Sequence, residues 1–228
     1  MMNGNSGLRL SVFAFYFSLL TGALAQPGGT PLKPVMQLVT EAKTRGVHKV
    51  VLPHVIPAYL SFTDLPSALS EFSLLRAALR KSITVLSNPS ATYLHSYLEF
   101  RLLETITGPP LLYGPMPPHV PAALRGAPKD TFVVGVPGGG SLVLDGVLVQ
   151  SEGDPLALMK EGQEYLVFVS FRTASQFASF PFGSGGVFRV VPGDRLEPLL
   201  PDDRVALAFR NASLLTLSDV RAYAAHRR

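Results

Sequence analysis

The chain has 228 residues, a formal net charge of +4 and no cysteine. It therefore has no disulfide and no lipoprotein-type anchor, and must hold together by its core alone, which about 200 residues can do. The basic residues are scattered, with local groups only at Arg76-Arg80-Lys81 and His226-Arg227-Arg228. That pattern is a mildly basic solvated surface, and it argues against nucleic-acid binding.

The first segment, "MMNGNSGLRLSVFAFYFSLLTGALAQ", has the three parts of a secretory signal. Arg9 and the amino terminus supply positive charge, Leu10 to Leu20 is apolar, and Ala23-Leu24-Ala25 is the small-x-small pattern of a cleavage site. The apolar run is short for a membrane span. Cleavage is expected between Ala25 and Gln26, leaving 203 residues (228 minus 25). No later run is long enough to span a bilayer, so the expectation is a secreted or periplasmic protein with no integral membrane segment after signal removal. The lack of cysteine fits a bacterial envelope or exterior. The sequon Asn211-Ala212-Ser213 then carries no meaning.

Residues 26–33 read as a flexible arm rich in proline and glycine. "PVMQLVTEAKTRG" predicts a short helix: Pro34 suits its start, Val35, Leu38, Val39 and Ala42 share a face, and Gly46 suits the residue after it. "HKVVLPHVIPAYLSF", broken by Pro53 and Pro57, predicts an edge strand or extended segment. "TDLPSALSEFSLLRAALRKS" reads as a second helix, capped by Thr63 or Asp64, with Ala68, Phe72, Leu75 and Leu79 on one face. Residues 34–81 are thus expected to form a helical and extended N-terminal segment packed on a β-barrel formed by the later residues.

From residue 82 the pattern becomes β. "SITVL" is a strand, followed by a turn at Ser87 to Ser90. "YLHSYLEFRLLETITG" alternates, with Leu98, Phe100, Leu102 and Ile106 on one face and Tyr97, Glu99, Arg101 and Thr105 on the other. Residues 109–128 form a long proline-rich loop that excludes strand and helix. "TFVVGV", "SLVLDGVLVQ", "EYLVFVSF", "QFASFPF" and "GVFRVV" come next as short strands separated by glycine turns. In "KEGQEYLVFVSF" the turn around Gly162 leads into a strand with Tyr165, Val167, Val169 and Phe171 on one face and Leu166 and Phe168 on the other. Both faces are apolar, which marks a central strand covered on both sides. Residues 82–200 are expected to form a small antiparallel OB-like β-barrel. Residues 201–228 form a C-terminal segment with a last helix, where Thr216 and Asp219 stand at capping-box spacing. The fold class is mainly β with peripheral helices, α+β.

Three pieces stand together in this order: "YLEFRLLETITGP", "DTFVVGVPGGGSLVLDG" and "LMKEGQEYLVFVSF" followed by "GGVFRVV". This resembles a group of uncharacterised bacterial exported proteins and, more remotely, the netrin-like, OB-type barrels of metalloprotease inhibitors. The resemblance covers about residues 82 to 192 and is one of hydropathy and glycine placement. Netrin-like inhibitors use disulfides and an amino-terminal cysteine on the protease metal. Here Gln26 would be first, so the resemblance implies the fold and not protease inhibition, and it transfers no functional residue.

No nucleophile elbow and no phosphate loop occurs. The glycines at 138–140 and 183–186 read as turns rather than anion nests. His48, His54, His95, His119 and His226 form no H-x-H or H-x-x-x-H; only His48 and His54, flanking a strand, share a spacing that a metal could use. Glu99 and Glu104 stand at odd spacing, on opposite faces of one strand, and Glu104 on the apolar face is a candidate for a raised pKa. Glu152 and Asp154, like Asp202 and Asp203, belong to turns. The expectations are no catalytic residue, no metal and no cofactor. Function reads as a non-catalytic binding or interaction domain with an unknown protein or envelope partner. The loop 109–128 and the tyrosines Tyr93, Tyr97 and Tyr113 are its candidate surface. A secreted hydrolase with a scattered site is the alternative.

Overall fold

The structure is a computed structural model that describes residues 32–53, 59–109, 114–126, 128–152, 156, 159–171 and 175–226. The signal, its cleavage point at Ala25 and Gln26, and His54, Tyr113 and Asp154 lie outside the described residues. The fold described belongs to the unit Lys33–Arg228. In chain order it comprises α1 (Val35–Thr44), β1 (Lys49–Leu52), α2 (Leu65–Glu71), β2 (Ser73–Val85), β3 (His95–Thr107), α3 (Ala122–Arg125), β4 (Thr131–Pro137), β5 (Ser141–Leu144), β6 (Val147–Ser151), β7 (Glu164–Val169), β8 (Phe177–Ala178), β9 (Val187–Val191), β10 (Arg195–Pro198), α4 (Arg204–Asn211) and α5 (Leu217–Ala225). It is an α+β fold dominated by sheet. No helix among the described residues is long and apolar enough to cross a membrane.

Seven strands form one sheet in the order β10-β9-β7-β2-β3-β4-β8, antiparallel except for β4 with β8. The sheet curls like a barrel but is not closed as a continuous ladder. One antiparallel bridge, Ser170 with Ser179, ties the end of β7 to the continuation of β8 through N–H···O contacts of 2.9 and 3.0 Å. A second sheet, β1-β6-β5, carries α1 on the face that buries Val147, Val149 and Leu52.

β7 behaves as its alternation predicts. Tyr165, Val167 and Val169 fill the concave side with Leu75, Leu79, Phe100 and Phe132. Leu166 and Phe168 point to the convex side, where α2, α4 and α5 cover them. Phe168 is fully buried, and its ring meets Phe182 and Phe209 edge-on at 5.5 and 6.1 Å.

Four local expectations differ from the structure. The helix read over 63–82 ends at Glu71, and "SLLRAALRKSITV" is the strand β2. Asp64 caps the short helix by accepting from Ser67 N–H at 2.8 Å. Leucine and alanine favour helix, yet Leu74 to Leu79 alternate between the convex and concave cores while β3 and β7 pair with both edges. Tertiary pairing overrides propensity there. "SLVLDGVLVQ" is a hairpin, because Asp145 and Gly146 both take positive φ (48° and 80°), the type I′ arrangement. The loop 109–128 contains the one-turn helix α3 after Pro121. Residues 204–211 form α4, capped by Asp203 on Val205 N–H at 2.8 Å, ahead of α5, whose Thr216–Asp219 capping box is present as expected.

Phe168→Ala removes a ring shared by several aromatic contacts and should lower stability by ~3–5 kcal/mol in chemical denaturation. A loss under ~1 kcal/mol would contradict the central placement of β7.

Candidate functional site

The β2–β3 ladder carries register shifts between Leu74 and Leu75, Arg76 and Ala77, and Leu79 and Lys81. Ala77 faces Leu102 and Arg76 faces Glu104, so Leu103 has no opposite residue. That bulge turns over the side chains that follow it, up to the next shift at Ile106. Ile106 leaves the face of Leu98 and Phe100 and joins the convex core. Glu104 comes to the same outer face as Glu99 rather than the opposite one. There Arg221 of α5 grips it with two hydrogen bonds of 2.8 and 2.7 Å. The guanidinium lowers the Glu104 pKa, the reverse of the rise that an apolar face would give. Glu99 lies 3.8 Å from Arg80. Each acid has its own arginine, and the two do not make an acid–base pair.

Tyr97, His95 and His119 are packing groups. Tyr97 is 4% exposed, and its hydroxyl donates to the His119 carbonyl at 3.0 Å. His95 stacks on it at 4.7 Å, and His119 meets Phe177 edge-on at 5.1 Å. Val120, Leu124 and Met116 lie over Tyr97 and Val133. Arg125 closes the loop on itself through the Val120 and Pro118 carbonyls. The described part of the proline-rich loop is therefore fastened to the sheet. Burial, and then His119, pushes His95 down to about 4. His48 is exposed, and no three His, Asp or Glu side chains come together among the described residues. The glycines split in role. Gly138 and Gly140 take positive φ (77° and 83°) in the turn after β4. Gly183–Gly186 is a buried 3-10 turn under α4, where a Cβ on Gly185 would meet the Asp203 carboxyl carbon at 2.3 Å.

A different feature gathers polar groups. A cleft of ≈ 410 Å³ opens at one end of the concave sheet. Ser82 and Thr84 of β2, Ser96 of β3, Ser141 of β5, and Gln150 and Ser151 of β6 line it above Leu98, Val136, Leu156 and Met159. Gly140 is there because nothing larger fits: an added Cβ would stand 2.2 Å from Thr84 Oγ1 and 2.5 Å from Ser96 Oγ. The wall is a relay. Thr84 Oγ1 and Ser96 Oγ are 2.9 Å apart, and Ser96 Oγ donates to the Gly139 carbonyl at 2.9 Å, so the Thr84 hydroxyl is the donor between them. Ser151 is 6% exposed, and its Oγ has no hydrogen-bond partner among the described residues.

All the polar side chains of this lining are hydroxyls and one amide. Such a wall offers neutral donors and acceptors over an aliphatic floor. A serine nucleophile needs a base within hydrogen-bond reach, and among the described residues the lining places no imidazole or carboxylate beside Ser151. A shallower depression beside β9 and β10 is charged, but Arg189 pairs with Glu197 there, and Glu164 with Arg76. The sequence reading missed the cleft because its members are isolated Ser and Thr residues spread from 82 to 151. The one local signal was alternation in "SITVL", which puts Ser82 and Thr84 on one face. Comparison with protein-family models, curated proteins and solved structures finds no match to this chain.

A histidine held neutral in the fold binds fewer protons than in the unfolded chain between its folded value, about 4, and its ordinary 6.5. Stability should be fully present above pH 6.5 and fall as the pH drops toward 4, by at most ~3 kcal/mol from this group. Thermal melts of the wild type and of His95→Gln across that range check it. The variant should show a flatter profile, and identical profiles would contradict the burial argument.

Proposed function

We propose that this chain is an exported, non-catalytic binding domain whose ligand sits in the hydroxyl-lined cleft. The observation that carries the reading is the cleft itself: neutral polar groups over an apolar floor, with a buried hydroxyl, Ser151 Oγ, left to pair. Buried hydroxyls in folded proteins are satisfied in the great majority of cases, and a ligand amide or hydroxyl would satisfy this one. Export is supported by the tripartite segment ending at Ala25, and a bacterial exterior or envelope by the absence of cysteine. The OB-like, remotely netrin-like reading is supported by the curled antiparallel sheet and the Ser170–Ser179 tie. The partner belongs to the exterior or the envelope.

Two measurements test this. Purified protein should show no turnover on ester, peptide and glycoside substrates. Turnover abolished by Ser151→Ala would instead establish the hydrolase reading. Expression with the native leader in a bacterial host, followed by mass analysis of the exported product, should give a chain beginning at Gln26. Retention of the full-length chain inside the cell would refute export.

A further inference from the structure

The cleft is bordered by a strand edge that no other described strand pairs. β2 is longer than its partner β7, which pairs with Ser73–Ala78 and meets β2 last at Leu79, where Leu79 N–H donates to the Gln163 carbonyl at 3.0 Å and Gly162 N–H to the Leu79 carbonyl at 2.7 Å. β3 continues beside β2 as far as Val85. After the bulge at Arg80, residues 81–85 therefore have a strand on one side only among the described residues. Ser82 shows which way the other edge looks. Its N–H leaves the β2–β3 ladder and donates to Glu161 Oε1 at 2.8 Å. A side-chain oxygen stands where a neighbouring strand would place a carbonyl. Backbone groups repeat every second residue along a strand edge, so the N–H and C=O of Thr84 face the same side. The side chains of these same two residues, Ser82 and Thr84, line the cleft.

We propose that the β2 edge from Lys81 to Val85 receives an extended peptide segment of a partner protein, added as a further strand, which seats uncharged side chains in the cleft. The inference rests on the reading of the cleft as the binding site and names its ligand class. An extended peptide presents donors and acceptors alternately at the spacing a strand edge requires, and such edges are natural templates for pairing. The cleft favours neutral side chains because its described lining residues are uncharged, and an unpaired charge is costly to desolvate. Ser151 Oγ gains its partner from the bound segment. Glu161 acts as a placeholder: its carboxylate satisfies Ser82 N–H until a peptide carbonyl displaces it.

The test uses the full mature chain and twelve-residue peptides selected on it from a random phage-displayed library, with affinity read by fluorescence anisotropy. Each peptide is N-methylated one amide at a time. Strand addition gives a period-two pattern, with losses of roughly tenfold or more at alternate amides and little change between them. Glu161 is exposed in a turn, and Glu161→Ala should tighten binding roughly three- to tenfold by removing the competitor for Ser82 N–H. A flat N-methyl scan, or unchanged affinity in the Glu161 variant, overturns strand addition. Amide resonances of Ser82, Thr84 and Ser151 separate the two readings. If a neutral oligosaccharide such as maltohexaose shifts them and no peptide does, the cleft binds ligand and the peptide inference fails. If neither shifts them, both fail.

Discussion

The first half of β2 is largely buried and paired on both edges, and the rest of the fold depends on it. Leu74 looks to the convex side, under α4 and α5, while Leu75, Ala77 and Leu79 look to the concave side. Two cores therefore share one layer of backbone, with β7 repeating the arrangement beside it. A strand in that position must satisfy most of its backbone groups by ladder bonding. β3 and β7 supply the bonds. The helices α2, α4 and α5 then cover the convex surface that this layer creates.

Beyond Leu79 the same strand changes character. β7 turns away, the burial ends, and Arg80 to Ser82 are exposed. One strand thus provides backbone paired on both edges between two cores and, a few residues later, an edge beside a polar cleft. Rigidity at one end holds the other end in place. The Thr84–Ser96–Gly139 relay adds to this, because it ties two strands and a turn together at the cleft wall.

How far the fold could be read from the chain depended on whether local pattern and tertiary placement agreed. β7 was legible because its two apolar faces alternate without interruption. α1 and α5 were legible because their caps and apolar spacing coincide. β2 was not, since "SLLRAALR" satisfies helical spacing as well as strand alternation, and only its neighbours decide between them. The faces of β3 were legible up to Leu102 and reversed beyond it. A bulge at Leu103 leaves no mark in composition, yet it moves Glu104 from an expected apolar face to a partnership with Arg221. The cleft was the least legible feature, for its hydroxyls come from β2, β3, β5 and β6 and carry no motif. The candidate tyrosine on β3, Tyr97, looked like surface in the sequence because it sits on the polar side of its strand. In the structure the proline-rich loop covers that side.

The three register shifts between β2 and β3 also bear on how the chain finds this arrangement. A long, regular hairpin can slide by two residues and keep its in–out pattern, so misaligned pairings compete closely with the native one. Here each shift places an extra residue at a defined point, and a slid ladder would set all three against the wrong partners at once. The bulges therefore work as alignment keys: with no disulfide to lock the strands after pairing, the irregularities let the hairpin fit in one position only.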